Sequence, residues 1–186
     1  MIAAMTRPVF KAQEGIWIFG YASLMWKPGF PFVEAQPALL RGYHRALCVY
    51  STRYRGTPEK PGLVMGLDRG GSCKGRAFLL AANDVPQVMV YLYDREMDTN
   101  CYQPKFINVR LADGRRVSAY NFIVRRDHQQ YTGKLSIEQT VKLVRQGVGP
   151  MGTALEYLQS TLDHLDELGM VEGPLHEICA RTKAAR

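Results

Sequence analysis

Residues 16–26 read IWIFGYASLMW, and the interpretation of the fold starts from this stretch. Its first part, 16–20, is a short apolar run closed by a glycine, which is typical of a buried strand. The small residues of 20–26 predict a turn whose backbone N–H groups can face a bound anion or carbonyl oxygen. A simple turn over a buried Trp26 would explain the same residues without a ligand. A nucleophile elbow is excluded, because Met25 stands where G-x-S-x-G requires its second glycine.

The rest of the chain alternates between extended and helical patterns. Strands are expected at 38–50, 63–67, 74–80, 104–111 and 116–125, with hairpin turns at 68–72 and Asp113-Gly114. Helices are expected from 85 to about 93 or 96 with Asn83-Asp84 as a cap, from 137 to about 147 with a Ser136 and Gln139 capping box, over 153–168 and over 173–180. This order predicts an α+β domain with a mostly antiparallel or mixed sheet that can curl into a barrel. No glycine-rich phosphate motif follows a strand, so a doubly wound nucleotide fold is not expected.

The 186 residues carry a formal charge of +7, which is concentrated in one segment. Between Arg41 and Arg76, eight Lys and Arg residues stand against two acidic residues. Three interpretations remain open: a solvated face, a site for an anionic small molecule, and a nucleic-acid surface. The chain length suits one domain, and no apolar run approaches the ~20 residues of a membrane-spanning helix.

Cysteine spacing and the N-terminus indicate the compartment. The four cysteines are far apart and form no C-x-x-C pair, which predicts reduced thiols in a cytoplasmic protein and no zinc site. Residues 1–15 lack the apolar run of a signal peptide and are interpreted as a loosely ordered arm.

Three further segments carry side chains that can act on a ligand. Glu96 ends the DRE run 94–96 at the C-terminus of a predicted helix, where the helix dipole opposes a carboxylate; a catalytic role or simple exposure would each explain it. Arg53 and Arg55 lie in a Gly- and Pro-rich loop and can bind a carboxylate or phosphate, or can simply be solvated. Tyr131, in a polar loop, can donate a hydrogen bond to a ligand, although surface tyrosines are common.

Four blocks, in this order, resemble the ChaC-like γ-glutamylcyclotransferases, the glutathione-degrading branch of that family. Residues 17–26 are similar to a W-x-F-G-Y-G-S-L-x-W start, and 55–62 (RGTPEKPG) to an R-G-x-x-x-x-P-G segment. Residues 92–97 (LYDREM) with Cys101-Tyr102 resemble the R-E-(M/K)…Y block of the bacterial members. Residues 149–158 (GPMGTALEYL) resemble a later G-P-x-G-x…Y-L block, and the four matches span most of the chain.

The resemblance implies a small mixed-sheet β-barrel flanked by helices, with the site at the barrel mouth. It implies that Glu96 is the catalytic residue and that no cofactor or metal is needed. The residues implied for substrate binding are Tyr21, Ala22, Ser23, Leu24, Arg55 and Tyr131, the first four through their backbone amides. The implied domain spans 16–180, between the N-terminal arm at 1–15 and a basic tail at 181–186.

The implied activity is cleavage of glutathione to 5-oxoproline and Cys-Gly, by attack of the γ-glutamyl α-amine on its own γ-carbonyl. The implied partner is this small molecule alone, with no nucleic acid and no membrane. A cyclotransferase for other γ-glutamyl amines and a non-catalytic regulatory protein of the same fold are the alternatives. Ala22 departs from the pattern, because the family usually has glycine there. A requirement for positive φ would make alanine cost about 1 kcal/mol, whereas a requirement for a small side chain would accept it.

Overall fold

The computed structural model describes residues 14–184. Its strands are β1 (Trp17–Gly20), β2 (Glu34–Ser51), β3 (Gly62–Leu79), β4 (Tyr102–Leu111), β5 (Arg116–Val124), β6 (Val148–Gly149) and β7 (Gly152–Thr153). Its helices are α1 (Val85–Glu96), α2 (Ile137–Gln146), α3 (Ala154–Glu167) and α4 (Gly173–Ala184). The N-terminal arm predicted at 1–15 lies almost wholly outside the described residues.

Strands β1 to β5 form a closed barrel in the order β1-β3-β2-β4-β5. Strand β1 is antiparallel to β3, with Trp17 opposite Leu79 and Gly20 opposite Arg76, and it is parallel to β5. Closure leaves these strands without an open edge. The predicted class, α+β with a mixed-sheet barrel and helices, is confirmed. Strands β6 and β7 form a separate two-stranded sheet.

The chain divides into two compact units. Among the described residues, the first unit contains 14–41 and 72–123, and the second contains 42–71 and 124–184. Strands β2 and β3 each continue from one unit into the other. The boundary lies at Gly42 in β2 and at Gly71 in β3, and these glycines have φ angles of +85° and +69°. The predicted domain limits, 16 and 180, remain predictions.

The hairpin predicted at 68–72 is wrong, because β3 runs through that segment as one strand. Gly70 and Gly71 have φ angles of +97° and +69° inside the strand. His44 of the neighbouring strand β2 remains beside them, with its Nδ1 3.0 Å from Gly70 O. Glycines in this conformation also mark bends and bulges within a strand. The chain continues here because its later residues pair with β1 instead of folding back.

In the first unit, α1 packs its apolar face into a core formed with barrel strands. The buried residues of that face recur at helical spacing and are Val85, Val88, Met89 and Leu92. Burial of each such side chain contributes about 1.5–3 kcal/mol. Asp84 occupies the predicted N-cap position, but its side chain accepts no capping hydrogen bond. Apolar packing therefore places α1 and, with it, the last turn that carries Glu96.

In the second unit, α2, α3 and α4 pack against one another. Helix α2 begins with the predicted capping box of Ser136 and Gln139. Helix α3 begins with a second box, Thr153 and Glu156, which the sequence reasoning missed. Gly169, with a φ of +68°, follows the end of α3 as predicted.

Helix α4 continues to Ala184, beyond its predicted end at 180. The extra turn is stabilised by Thr182, which is buried and whose Oγ1 donates to Ile178 O at 2.7 Å. Arg181 also pairs with Glu177 one turn earlier, at 2.6 Å. Across residues 14–184, no helix is both long enough and apolar enough to span a membrane.

Candidate active site

The turn after β1 is packed tightly against the end of that strand. A Cβ on Gly20 would lie 3.0 Å from Leu24 Cβ and 3.2 Å from Met25 N, so this position favours glycine. The first hydrogen bond within the turn runs from Met25 N–H to Ala22 O at 2.8 Å. The turn itself therefore does not use the N–H groups of Ser23 and Leu24, as at the start of any helical segment. Such amides can hold a carbonyl oxygen or an oxyanion.

Ala22 has a backbone conformation outside the left-handed region that favours glycine. Its φ is −140°, so the cost expected for alanine at a positive φ does not arise. Among the described non-glycine residues, the one with a positive φ is Asn100, at 56°. Ala22 is buried, which agrees with a requirement for a small side chain at this position.

Glu96 is the last residue of α1 and is largely buried, with 19% of its side chain exposed. Burial raises the pKa of Glu96 above its ordinary value, although the positive charge of Arg95 opposes this change. Arg95 is the one cation paired with Glu96 in the part of the chain that the structure describes, and its Nε lies 3.4 Å from Oε1. A carboxyl group with a raised pKa can both accept and return a proton near neutral pH.

Arg95 connects the end of α1 to the segment that follows β1. Its Nη2 donates to Ser23 Oγ at 2.8 Å. Its Nη1 donates to the carbonyl oxygens of Lys27 and Pro28, at 2.9 and 3.3 Å. One side chain of the first unit therefore links Glu96 to the turn that the resemblance assigns to the γ-glutamyl group.

The cysteines do not offer an alternative nucleophile. All four are buried and form no disulfide within residues 14–184. Burial raises the pKa of the Cys101 thiol, and the nearby charge of Glu96 acts in the same direction. A thiol with a raised pKa is a poor nucleophile at neutral pH. Within the described chain, no group of three or more His, Cys, Asp or Glu side chains is arranged to hold a metal ion.

In the second unit, Tyr131 is held by two side chains that the sequence reasoning did not place in a site. Its Oη donates to Asp68 Oδ2 at 2.9 Å. Arg126 Nε donates to the other carboxylate oxygen at 2.7 Å, and its guanidinium lies 5.8 Å from the centre of the Tyr131 ring. The Tyr131 hydroxyl, which was predicted to donate a hydrogen bond to a ligand, therefore donates to Asp68. Its oxygen can still accept a hydrogen bond from a ligand.

The charges around Asp68 explain why its carboxylate accepts this hydrogen bond. Burial alone would raise the pKa of Asp68, but hydrogen bonds from Arg126, Tyr131 and Arg69 N–H outweigh it, so the pKa lies below its ordinary value. The pKa of Tyr131 is raised by burial and by its hydrogen bond to Asp68. Asp68 is therefore an ionised acceptor at neutral pH, and Tyr131 remains a phenol.

Arg55 is engaged in contacts within the second unit. Its guanidinium lies 5.6 Å from the centre of the Tyr157 ring, and its Nη1 lies 3.4 Å from Thr153 O. A Cβ on Gly62 would overlap the Arg55 carbonyl oxygen, and one on Gly147 would lie 2.5 Å from it. These contacts tie the loop between β2 and β3 to the segment before α3.

The structure places the predicted site residues in two groups. The turn at 21–24 and Glu96 lie in the first unit, where Arg95 joins them. Arg55 and Tyr131 lie in the second unit and contact different residues there. From the sequence, Arg95 was recognised only as part of a charged run. Asp68 was predicted to lie in the hairpin turn at 68–72, which the structure replaces with a continuous strand.

The basic segment from Arg41 to Arg76 is not a uniform exposed surface. The Arg45 side chain is 0% exposed and forms an ion pair with Glu172. Arg55 packs on an aromatic ring, as described above, and Arg76 lies over the Phe78 ring at 5.3 Å. Part of the local charge excess therefore serves internal contacts.

Comparisons with known proteins agree with this architecture. The chain is 38% identical over 174 residues to the glutathione-specific gamma-glutamylcyclotransferase of Escherichia coli (strain K12), covering 93% of this chain and 75% of that relative. It is 30% identical over 162 residues to gamma-glutamylcyclotransferase 2-3 of Arabidopsis thaliana, covering 83% and 81%. A crystal structure of a γ-glutamyl cyclotransferase specific to glutathione from yeast has the same fold, with a TM-score of 0.83 at 21% identity over 92% of this chain and 97% of that one. Because the ChaC-like protein family also matches residues 16–184, the chain belongs to the ChaC-like family.

Proposed function

We propose that this protein is a γ-glutamylcyclotransferase that cleaves glutathione to 5-oxoproline and Cys-Gly. The observation that carries the proposal is Glu96, a largely buried carboxyl group with a raised pKa, linked through Arg95 to a turn with available backbone amides. The relatives from E. coli and yeast are named for the same reaction on the same substrate.

The reaction needs a proton carrier more than a nucleophile from the protein. Glu96 takes a proton from the γ-glutamyl α-ammonium, and the free amine attacks the γ-carbonyl carbon of the same residue. The new C–N bond closes a five-membered lactam, and the bond from that carbon to the cysteine nitrogen breaks. Glu96 then returns its proton to the departing amine and accepts the second proton, which the ring nitrogen loses as the lactam forms. That second proton passes to the Cys-Gly amine, which leaves as an ammonium, so that one carboxyl group acts as base and acid in turn.

The turn after β1 supplies the electrostatic part of the mechanism. Negative charge develops on the γ-carbonyl oxygen when the amine attacks. Backbone N–H groups of residues 21–24 stabilise that charge, a contribution commonly worth about 3–4 kcal/mol. Holding amine and carbonyl in the bent geometry of the lactam lowers the barrier further.

Tyr131 and Arg55 both lie in the second unit. We propose that Tyr131 and Arg55 assist substrate binding, as the resemblance implies. Tyr131→Phe removes the hydroxyl with little change in shape, so an increase in KM with unchanged kcat would support its assignment. For Arg55, KM must be compared with the melting temperature, because its contacts with Tyr157 and Thr153 also support the loop.

The proposed setting is the cytoplasm, with glutathione as the partner. Four buried cysteines that form no disulfide within the described residues suit a reducing compartment, in which glutathione keeps thiols reduced. The proposal includes neither nucleic acid nor a membrane. A nucleic-acid surface on the basic segment would instead give binding to many sequences that weakens steeply with salt.

The direct test is incubation of the purified protein with glutathione and detection of 5-oxoproline and Cys-Gly in equal amounts. Glu96→Gln should abolish turnover, and Glu138→Gln on the exposed start of α2 is the matched control. Full activity of Glu96→Gln would refute the assigned base. Consumption of other γ-glutamyl amines but not of glutathione would refute glutathione as the substrate, while the proposed cyclotransferase reaction would still hold. A folded but inactive wild-type protein would favour the regulatory alternative.

A further inference from the structure

Arg95 makes more contacts than neutralisation of Glu96 requires. In addition to its bonds to Ser23, Lys27 and Pro28, its Nη1 donates to Tyr91 Oη at 2.7 Å. Its Nε faces Glu96, and only 22% of the side chain is exposed. All three guanidinium nitrogens are therefore engaged, each in a different direction.

The position of this guanidinium is built into the surrounding chain. Tyr91 lies one turn before Arg95 on α1, and the guanidinium carbon lies 5.9 Å from the centre of its ring. Gly29 has a φ of +75°, and a Cβ there would overlap Tyr91 Oη. Glycine at position 29 thus allows the tyrosine to reach Arg95, and the tyrosine in turn fixes the guanidinium.

We propose that Arg95 is a positioning residue that holds Glu96 and the turn at 21–24 in the relative placement that cyclisation requires. The inference rests on the proposed function, because it assigns Glu96 and the turn their roles in that reaction. A planar guanidinium presents donors in a fixed fork, which a lysine ammonium cannot reproduce. Cyclisation depends on placing base, amine and carbonyl together, so a loose link between base and turn should slow the reaction step itself.

Ser23 is the second partner in this link. Its Oγ accepts from Arg95, and a hydroxyl that accepts one hydrogen bond still has its own proton to donate. Arg95 thereby orients Ser23 as well as Glu96. Ser23→Ala breaks only the connection to the turn, while the Arg95 to Glu96 pair remains.

Two substitutions separate the geometry of Arg95 from its charge. Arg95→Lys keeps the charge and loses the fork, whereas Arg95→Gln loses both. We expect each to lower kcat by about 100-fold, the scale of a small misplacement in a reacting complex. Only Arg95→Gln should move the acid limb of kcat/KM upward, by about one pH unit or more, since an opposite charge has been removed. Among the described residues, the charge of Arg95 lowers the pKa of Glu96, and the charge of Glu96 raises the pKa of the Cys101 thiol, so Cys101→Ala is included in the pH series.

The matched control is Arg115, an ion-paired arginine at the turn between β4 and β5. Its Nε donates to Asp113 at 2.7 Å, and its guanidinium lies 5.6 Å from the centre of the Trp17 ring, at the opposite end of β1 from the turn. Arg115→Lys and Arg115→Gln should leave kcat and the pH profile within about twofold of the wild type, as expected for an exposed pair.

A second measurement does not depend on turnover. Hydrogen exchange at the Met25 and Lys27 amides, which close the turn, should be at least tenfold faster in Arg95→Lys and in Ser23→Ala than in the wild type. Wild-type kcat and unchanged exchange in these variants would overturn the positioning role. If Arg95→Lys does not fold, Ser23→Ala decides the outcome. A wild-type protein that leaves glutathione intact would refute the proposed function, while the exchange rates would still decide whether Arg95 orders the turn.

Discussion

Replacing Glu96 by glutamine should make the protein more stable at pH 8 while it removes the proposed activity. Glutamine keeps the shape of the side chain but carries no charge. In the wild type, burial raises the pKa of Glu96 against the opposing charge of Arg95. The ionised carboxylate is therefore less favourable in the folded chain than in the unfolded one. The Arg95 guanidinium keeps its bonds to Ser23, Lys27, Pro28 and Tyr91 when the charge is lost.

The sign and size of the effect follow from linkage. A raised pKa gives stability that is fully present below the unfolded value, near 4.5, and is lost as pH rises through the folded value. Each unit of elevation corresponds to about 1.4 kcal/mol. One kcal/mol moves the melting temperature of a chain of this size by about 2–4 °C. We therefore expect Glu96→Gln to melt about 3–6 °C higher than the wild type per pKa unit at pH 8, with little difference at pH 4.

Melting curves of both proteins from pH 4 to pH 8 test this expectation. Glu138→Gln provides a control of opposite sign, because hydrogen bonds at the start of α2 lower the pKa of Glu138. Its carboxylate stabilises the fold when ionised, so glutamine there should lower the melting temperature at pH 8. A Glu96→Gln difference that does not change with pH, or that is negative at pH 8, would refute the reasoning about burial.

Three further substitutions test other parts of the structure. Gly149→Ala should destabilise the protein by about 1–3 kcal/mol, since the new Cβ would overlap Tyr54 O, whereas Gly173→Ala, with open space around it, should change the melting temperature little. Asp68→Asn should cost about 1–3 kcal/mol in urea unfolding at pH 7 and progressively less as pH falls below the ordinary aspartate value of 3.8, because the lowered pKa of Asp68 gives stability that is lost as pH falls through the folded value; a loss that does not change with pH would contradict this. Ala22→Gly should leave kcat/KM for glutathione within about twofold, because φ at this position is outside the left-handed region that favours glycine; a large gain in activity would show that the turn needs glycine.

Local patterns were enough to predict most elements of the fold. The leucines of α3 at helical spacing and Gly169 after them predicted that helix, and its apolar face is buried as expected. The hairpin turn predicted at the glycine pair in β3 was wrong, since the same residues permit either a turn or a bend within a strand. The decision between the two depends on β1 and β2, which pair with the segment from elsewhere in the chain.

The residues of the candidate site were likewise predictable from the sequence only in part. Glu96 was recognisable from its place at a helix end and from the block around it. The bond from Arg95 to Ser23 joins residues 72 positions apart, and the bond from Tyr131 to Asp68 joins residues 63 positions apart. No spacing rule in one sequence relates such residues, because the barrel and not a local period brings them together.

The four sequence blocks have different physical tasks, although they look alike as motifs. Blocks 17–26 and 92–97 contact each other through Arg95 and the turn, which carry the charge stabilisation and proton transfer of the proposed reaction. Blocks 55–62 and 149–158 meet through backbone, because a Cβ on Gly149 would lie 2.7 Å from Gly56 N, and through Arg55 against the Tyr157 ring. Substitutions in the first pair should therefore change kcat and its pH dependence, while those in the second should first lower the melting temperature. A glycine in a shared motif is thus a sign of close backbone approach as often as of a ligand, and contacts are needed to tell the two apart.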